Sequence, residues 1–339
     1  MPAKDPLRVL IIGFGMISIG YSRDQKMKKF FKIATHYEAI VSNENFSLIG
    51  VVDPSAESKF QASLLNHVFP IYECAEAVPN KNDVDMIVLA TPPHVRQGIM
   101  EQFPNLCAII VEKPISNDLP GAESFAKACK SKSIKLYVNT GRRYDTRIQE
   151  LANGVIQTLG DLQGIFCTYG NGIKNNGFHL IDLITMFAGK VSWVQALPHK
   201  DETVSFEEFL GRTFPFTLGL GSGVCVMVQS LDYKHYREMS MELWGAKSKL
   251  LFCLEGLLYS ITHRKEHRFS EHDFELEFDS STYGVTGQGV ALQNLYKLVA
   301  NDNHLGTYDQ RHISDALHVM NVIESLELSV TKGFKKVCL

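Results

Sequence analysis

Short apolar runs separated by longer, helix-spaced polar stretches organise the chain from residue 7 to about residue 139. The runs are Leu7 to Ile12, Phe46 to Val52, Val84 to Leu89, Cys107 to Val111 and Ile134 to Val138. Unbroken runs of this kind predict strands covered on both faces, and their alternation with helical stretches predicts a doubly wound parallel sheet with right-handed crossovers. Between them, Ser55 to Asn66 and Gly121 to Lys130 predict helices with polar outer faces, and a further helix is expected to begin at Pro93 or His94.

After about residue 145 the rhythm changes. A helical stretch from Thr146 to Thr158 leads to a strand, Leu162 to Tyr169, and then to an apolar helix from about Phe178 to Ala188 that ends near Gly189. Alternating patterns at Val224 to Leu231, Met239 to Leu243, Lys249 to Cys253 and Leu257 to Ile261 predict a mainly antiparallel open sheet. Two late helices follow, one carrying Leu292, Leu295, Tyr296 and Val299 and the other Ile313, Leu317, Met320 and Ile323. The expected organisation is an α/β domain over 1–142 and an α+β domain over 143–339, with the late helices packing back on the first.

Composition narrows the partners. The chain has 339 residues, 45% of them hydrophobic, and 34 basic against 37 acidic groups, so no charge excess draws it to nucleic acid or an anionic membrane. Its seven cysteines, an odd number with no Cys-x-x-Cys pair, argue against a disulfide framework or thiolate zinc site and fit a cytoplasmic setting. Leu7 to Ile19 is glycine-interrupted and lacks a cleavage signature, so it reads as a first strand and turn rather than a signal peptide.

Chemistry concentrates where strands end. Gly13-Phe14-Gly15-Met16-Ile17-Ser18 follows the first strand and is expected to open a helix, the context in which two glycines let a pyrophosphate approach backbone N–H groups. Ser18, small enough for close packing, replaces the usual third glycine. Asp53 ends the second strand, where a carboxylate accepts from a ribose 2′-OH and repels a 2′-phosphate; NAD is favoured, with NADP the alternative. Asp53 lies 40 residues after Gly13, against the usual roughly 20, so something is inserted. Tyr21 to Ala34, with Arg23, Lys26, Lys28, Lys29 and Lys32 against Asp24 alone, is either a basic flap over phosphate or a solvated helix face. Thr91-Pro92-Pro93-His94 follows the third strand and lines the same crevice by position. Glu112-Lys113-Pro114 ends the fourth run, where a lysine faces ligand rather than bulk water.

A second constellation is Asn175-Asn176-Gly177-Phe178-His179-Leu180-Ile181-Asp182. Either asparagine can cap the helix, and His179 and Asp182, three apart, share one face of it. Both are expected to be buried and paired, His179 serving as a neutral base or as a core histidine held by Asp182. His263, His267 and His272 lie in a polar stretch and read as a solvated loop rather than a metal site.

In their order and spacing, the glycine turn, Asp53, Glu112-Lys113-Pro114, Arg142-Arg143 and Gly-x-His-x-x-Asp resemble the glucose-fructose oxidoreductase and inositol dehydrogenase (Gfo/Idh/MocA) family. The resemblance is strong through residue 189. It implies a Rossmann domain, then an α/β domain whose open sheet makes oligomer contacts, as in a homodimer or homotetramer. It places the counterparts of Lys113 and His179 near the nicotinamide and the reacting sugar carbon, Glu112 at the cofactor site, and Arg143 at the substrate. The implied chemistry is hydride transfer between a secondary hydroxyl and nicotinamide, with His179 taking the hydroxyl proton and Lys113 hydrogen-bonding the oxygen or relaying the proton. Two positions depart: Asn175 stands where an aspartate is frequent, and can orient a hydroxyl without accepting its proton; Arg96 stands where a histidine is common. The asparagine variant and the basic insert are similar to members acting on surface polysaccharides and nucleotide sugars. The readings are a sugar, polyol or nucleotide-sugar dehydrogenase, a redox-neutral NAD-dependent glycosidase or lyase, or a non-catalytic sugar-sensing regulator.

Overall fold

The computed structural model describes residues 5–65, 69–96, 98–198 and 211–339. The chain divides into two compact units, Met1–Tyr144 with Gln288–Leu317, and Asp145–Gly287 with His318–Leu339.

The first unit is built on strands β1 (Leu7–Ile12), β2 (Phe46–Val52), β3 (Ile71–Tyr72), β4 (Met86–Leu89), β5 (Ala108–Glu112) and β6 (Lys135–Asn139), ordered β3-β2-β1-β4-β5-β6 and parallel throughout. Val9, Leu10, Ile11, Ile87, Val88, Ile109 and Ile110 are fully buried, which is why these strands are apolar on both faces. Strand order reverses between β1 and β4. In such sheets a crevice forms outside the carboxyl ends at that point. Helices α1 (Met27–Phe30), α2 (His36–Val41), α3 (Ala56–Ser63) and α4 (Leu119–Ser131) belong to this unit. In α4 the Asp118 carboxylate caps the first turn by accepting from Gly121 N at 2.8 Å. The expected end of α3 at Asn66 lies outside the described residues, and the helix expected from Pro93 is a single 3-10 turn, Pro93–Val95.

The helix expected straight after the glycine turn is interrupted. Ile19 N and Tyr21 N bond the carbonyls of Gly15 and Met16, but the next two carbonyls, Ile17 and Ser18, accept from His36 N and Tyr37 N, each at 3.0 Å. An unbroken helix would offer residues 21 and 22 instead. The chain therefore leaves the helix after one turn and resumes it fifteen positions later, which accounts for the long interval between Gly13 and Asp53. Within the excursion lie a 3-10 turn, Gly20–Arg23, and the four-residue α1. Its return is fixed by a capping box: Thr35 accepts from Glu38 N, and Glu38 accepts from the Thr35 amide.

The second unit holds α5 (Thr146–Asn153), α6 (Val155–Leu159), β7 (Leu162–Tyr169), α7 (Phe178–Ala188), β8 (Val191–Ala196), β9 (Phe216–Leu220), β10 (Cys225–Ser230), β11 (Ser240–Gly245), β12 (Ser248–Cys253), β13 (Leu258–Glu266), β14 (Phe274–Leu276) and β15 (Thr282–Val285). The helix expected over Thr146 to Thr158 is thus divided at Gly154. Late helices α8 (Ala291–Leu305) and α9 (Arg311–Thr331) precede β16 (Val337–Cys338); α8 and the start of α9 to Leu317 belong to the first unit. The sheet runs β14-β13-β12-β11-β7-β10-β9-β8-β16 with β15 beside β13, and β7 and β10 are its parallel pair among otherwise antiparallel neighbours. One face is a core of Ile165, Tyr169, Val226, Met241, Leu243 and Phe252, against which α7 sets Phe187, its ring centroid 5.4 Å from that of Phe252. The other face leaves Phe166 and Met227 half exposed in register with one another. Among the described residues no helix is long and apolar enough to cross a membrane.

Candidate functional site

Three loops of the first unit leave the carboxyl ends of adjacent strands: the glycine turn after β1, Thr91-Pro92-Pro93-His94 after β4, and Lys113-Pro114 after β5. Gly13 has φ +94°, and an added Cβ would lie 2.6 Å from the Ala90 carbonyl oxygen, so this position demands glycine. At Gly15 an added Cβ would meet no atom within 4 Å. That open backbone is what a pyrophosphate needs to approach. Phe14 is buried edge-on against Tyr37 and Phe69, Met16 is exposed, and half-buried Ile17 uses its carbonyl to receive the returning chain. Ser18, in place of the third glycine, is buried and donates its hydroxyl to the Gly13 carbonyl at 2.6 Å. The hydroxyl thus ties the turn to the helix start.

Asp53 braces the same turn. One carboxylate oxygen accepts from Phe14 N at 2.7 Å and the other from Ser55 N at 2.9 Å. Burial opposes its ionisation, but the Phe14 and Ser55 bonds prevail and hold the carboxyl below its ordinary range. A carboxylate has about four lone-pair positions, so two amides leave it able to accept ribose hydroxyls. The glycine cradle, the open approach and this carboxylate together fit a dinucleotide.

Arg96 joins the other two loops. It is 4% exposed; Nε and Nη2 donate to the Thr91 carbonyl, and Nη1 donates to the carbonyls of Glu112, Pro114 and Ile115. Burial pushes its pKa down to about 10, with Glu112 opposing. The side chain that departs from the resembled pattern thereby fixes both loop backbones through carbonyls alone. Pro92 and His94 are exposed on the loop it anchors.

Glu112 accepts from Asn139 Nδ2 at 2.6 Å and His36 Nε2 at 3.0 Å, both on Oε1, while His36 Nδ1 meets Tyr296 Oη at 2.9 Å. Burial opposes ionisation of Glu112; the His36 and Asn139 bonds and the Lys113 charge outweigh it and keep the carboxyl below its ordinary value. Burial lowers the Lys113 amine to about 8, against the pull of Glu112 and with help from Arg142. An amine so placed exchanges a proton near neutral pH, as a relay requires. Arg143 is engaged at 2.7 Å by Asp315 of α9.

In the second unit, Asn175 and Asn176 do not cap α7. They lie inside a wide π-type turn, Gly172–Gly177, that runs into α7, so the backbone is already helical where a capping residue should be extended. Asn176 instead reaches Glu255 at 3.3 Å. Asp182 is buried, whereas His179, expected to be buried with it, is partly exposed at the first turn. His263 bonds Ser248 and His267 approaches Glu275.

Four residues of the candidate site escaped sequence reading: His36, Asn139, Tyr296 and, as an anchor, Arg96. Thr35-x-x-Glu38 is a capping-box signature that could have marked the helix restart and hence His36. Nothing local marks Tyr296.

Among solved structures of similar fold are a super-repressor mutant of Gal80p from Saccharomyces cerevisiae, at 18% identity and TM-score 0.73, covering 98% of this chain and 97% of that one. An oxidoreductase from Agrobacterium radiobacter in complex with NAD+, L-tartaric acid and magnesium is 14% identical with TM-score 0.70, covering 98% of each chain. KijD10, a 3-ketoreductase from Actinomadura kijaniata, seen with TDP-benzene and NADP, is 13% identical with TM-score 0.69, covering 95% of this chain and 97% of that one. No curated protein matches the chain by sequence. Residues 7–140 match the family described as oxidoreductase family, NAD-binding Rossmann fold, GFO_IDH_MocA. The glycine cradle, the β1/β4 switch point and this match agree that residues 7–140 form an NAD-binding Rossmann unit similar to that of the Gfo/Idh/MocA oxidoreductases, with a nicotinamide dinucleotide as its cofactor.

Proposed function

We propose that the protein is an NAD(P)-dependent oxidoreductase acting on a secondary hydroxyl of a sugar, polyol or nucleotide sugar. The observation that carries this reading is Lys113, an amine lowered to about 8 at the end of β5, beside the two loops that fit a dinucleotide. Gly13 and Gly15 would admit the pyrophosphate, Asp53 the adenine-side ribose, and Phe14, Met16, Ile17, Thr91, Pro92, His94 and Glu112 would line the rest. Bound there, the nicotinamide supplies the hydride acceptor or donor. The chain's own task is the proton: oxidation of an alcohol to a carbonyl releases one hydride and one proton. On this reading His179 accepts the proton, Lys113 hydrogen-bonds the oxygen, and Asn175 and Arg143 orient the substrate. Arg143 would do so while held by Asp315. The TDP ligand of KijD10 supports a nucleotide sugar among the substrates to try.

The test incubates purified protein with NAD or NADP and a panel of sugars, polyols and nucleotide sugars, following nicotinamide absorbance. Reduced coenzyme appearing with one class, and lost in Lys113→Ala and His179→Ala, is the expected result. Full turnover in Lys113→Ala would refute the lysine's role. A redox-neutral reaction would instead change the substrate without net reduced coenzyme. The likeness to Gal80p, together with Asn175 in place of an acid, supports a second reading, a sugar-sensing regulator; it predicts ligand binding with the substrate unchanged. We further infer a homodimer or homotetramer seated on the open sheet face, where Phe166 and Met227 are 49% and 54% exposed side by side. Phe166→Asp should shift sedimentation toward monomer.

A further inference from the structure

The family match accounts for a nicotinamide cofactor but assigns nothing to the imidazole beneath β5. His36 is fully buried, and both its ring nitrogens are engaged by residues 76 and 260 positions away in the chain. An ionised carboxylate only accepts, so Nε2 carries the hydrogen of the Glu112 bond. Tyr296 keeps its phenolic proton, because burial and the Glu112 charge raise its pKa well above the ordinary value, and its Oη lies 2.9 Å from Nδ1. The chain Tyr296, His36, Glu112 is thus continuous, and its last bond runs from the imidazole to the carboxylate. Asn139 adds a second donor to the same Oε1, which leaves Oε2 as the acceptor on that carboxylate for the amine or a ligand.

We propose that His36 is a positioning residue of the site: returned to the helix by the end of the excursion, it holds the Glu112 carboxylate in place beside Lys113, while Tyr296 sets its ring. The His36 and Tyr37 amides donate to the Ile17 and Ser18 carbonyls, which fixes where the imidazole re-enters the helix. The charged groups acting on Lys113 are Glu112 and Arg142; Glu112 itself is acted on by His36, Asn139 and Lys113, and Arg96 also feels Glu112. Removing the imidazole withdraws a donor from a buried carboxylate, which raises its pKa and loosens its hold on the Lys113 ammonium.

The inference rests on the reading of Lys113 as a functional lysine, and its test is chosen to need no turnover. Competitive acetylation of Lys113 against pH, read by mass spectrometry of its peptide, reports the midpoint of the amine. In His36→Leu that midpoint should fall from about 8 by about one pH unit. His36→Gln, whose amide can still donate to Glu112, should recover most of the shift, and Tyr296→Phe should move it in the same direction by a smaller step. A midpoint unchanged in folded His36→Leu, or shifted equally by leucine and glutamine, overturns the proposal. If His36→Leu does not fold, Tyr296→Phe decides: an unmoved midpoint there overturns it. A shifted midpoint in a protein that turns over no substrate faults the oxidoreductase reading and leaves the role of His36 standing.

Discussion

Replacing Lys113 by methionine should make the protein more stable at neutral pH while removing the amine on which the proposed chemistry depends. The folded protein holds the Lys113 proton with a pKa of about 8, whereas the ordinary value, which the unfolded chain approaches, is 10.5. Below about pH 8 both states are protonated and the fold carries the whole cost of a poorly solvated ammonium. Between about 8 and 10.5 only the unfolded state keeps the proton, so this group makes stability rise with pH. Above that range its contribution vanishes. The difference corresponds to about 3 kcal/mol. Methionine removes that cost, and because the Lys113 shift already includes the attraction of Glu112, the expected gain at pH 7 is about 3 kcal/mol. Urea unfolding of both proteins at about pH 7 and about pH 10 measures it, with the advantage of the variant shrinking at the higher pH. A variant less stable than the parent at pH 7, or an advantage independent of pH, refutes the argument that burial sets the state of this amine.

Gly13→Ala should destabilise by about 3 kcal/mol, from an unfavourable positive φ together with overlap on the Ala90 carbonyl; calorimetry checks this, and coenzyme affinity should fall with it. Arg96→Ala strips donors from the carbonyls of Thr91, Glu112, Pro114 and Ile115 and should cost about 3 kcal/mol in chemical denaturation, with Arg96→Lys recovering only part because an ammonium cannot span both loops. Asp53→Ala should weaken NAD about tenfold and NADP less, by calorimetric titration; equal losses would count against the ribose contact. Because the folded Asp53 carboxyl titrates below 3.8, its stabilisation is present above that pH and lost as pH falls toward the folded value, so the alanine variant should show a shallower decline below about pH 4.

Where a pattern is local and repeated, the chain was readable to the residue. Leu7–Ile12, Phe46–Val52 and Leu162–Tyr169 take the bounds their apolar spacing predicts, and α7 lies close to its expected span. The two-residue β3 carries too little pattern to see, and in β8 the adjacent Trp193 and Val194, beside a register shift, break the alternation that would mark a strand. The asparagine caps failed for another reason: Asn175 and Asn176 are good capping residues, but the chain enters α7 through a wide turn already in helical conformation.

The candidate site divides along the same line. Gly13, Gly15, Asp53 and Lys113 were legible because a phosphate cradle, a ribose acceptor and a strand-end lysine each depend on a few contiguous residues and the strand that carries them. Sequence alone thus determined the sheet and the cofactor class, and it suggested the positions proposed to face that cofactor. Only the tertiary structure decided how those positions are held. Arg96, a departure from the resembled pattern, proves to hold four carbonyls, and the long interval before Asp53 is spanned by an excursion whose end is bonded through His36 and Tyr37 to Ile17 and Ser18. Contacts between residues as far apart as His36 and Tyr296 follow from the folding of the sheet and helices against one another, and no window of sequence contains both partners.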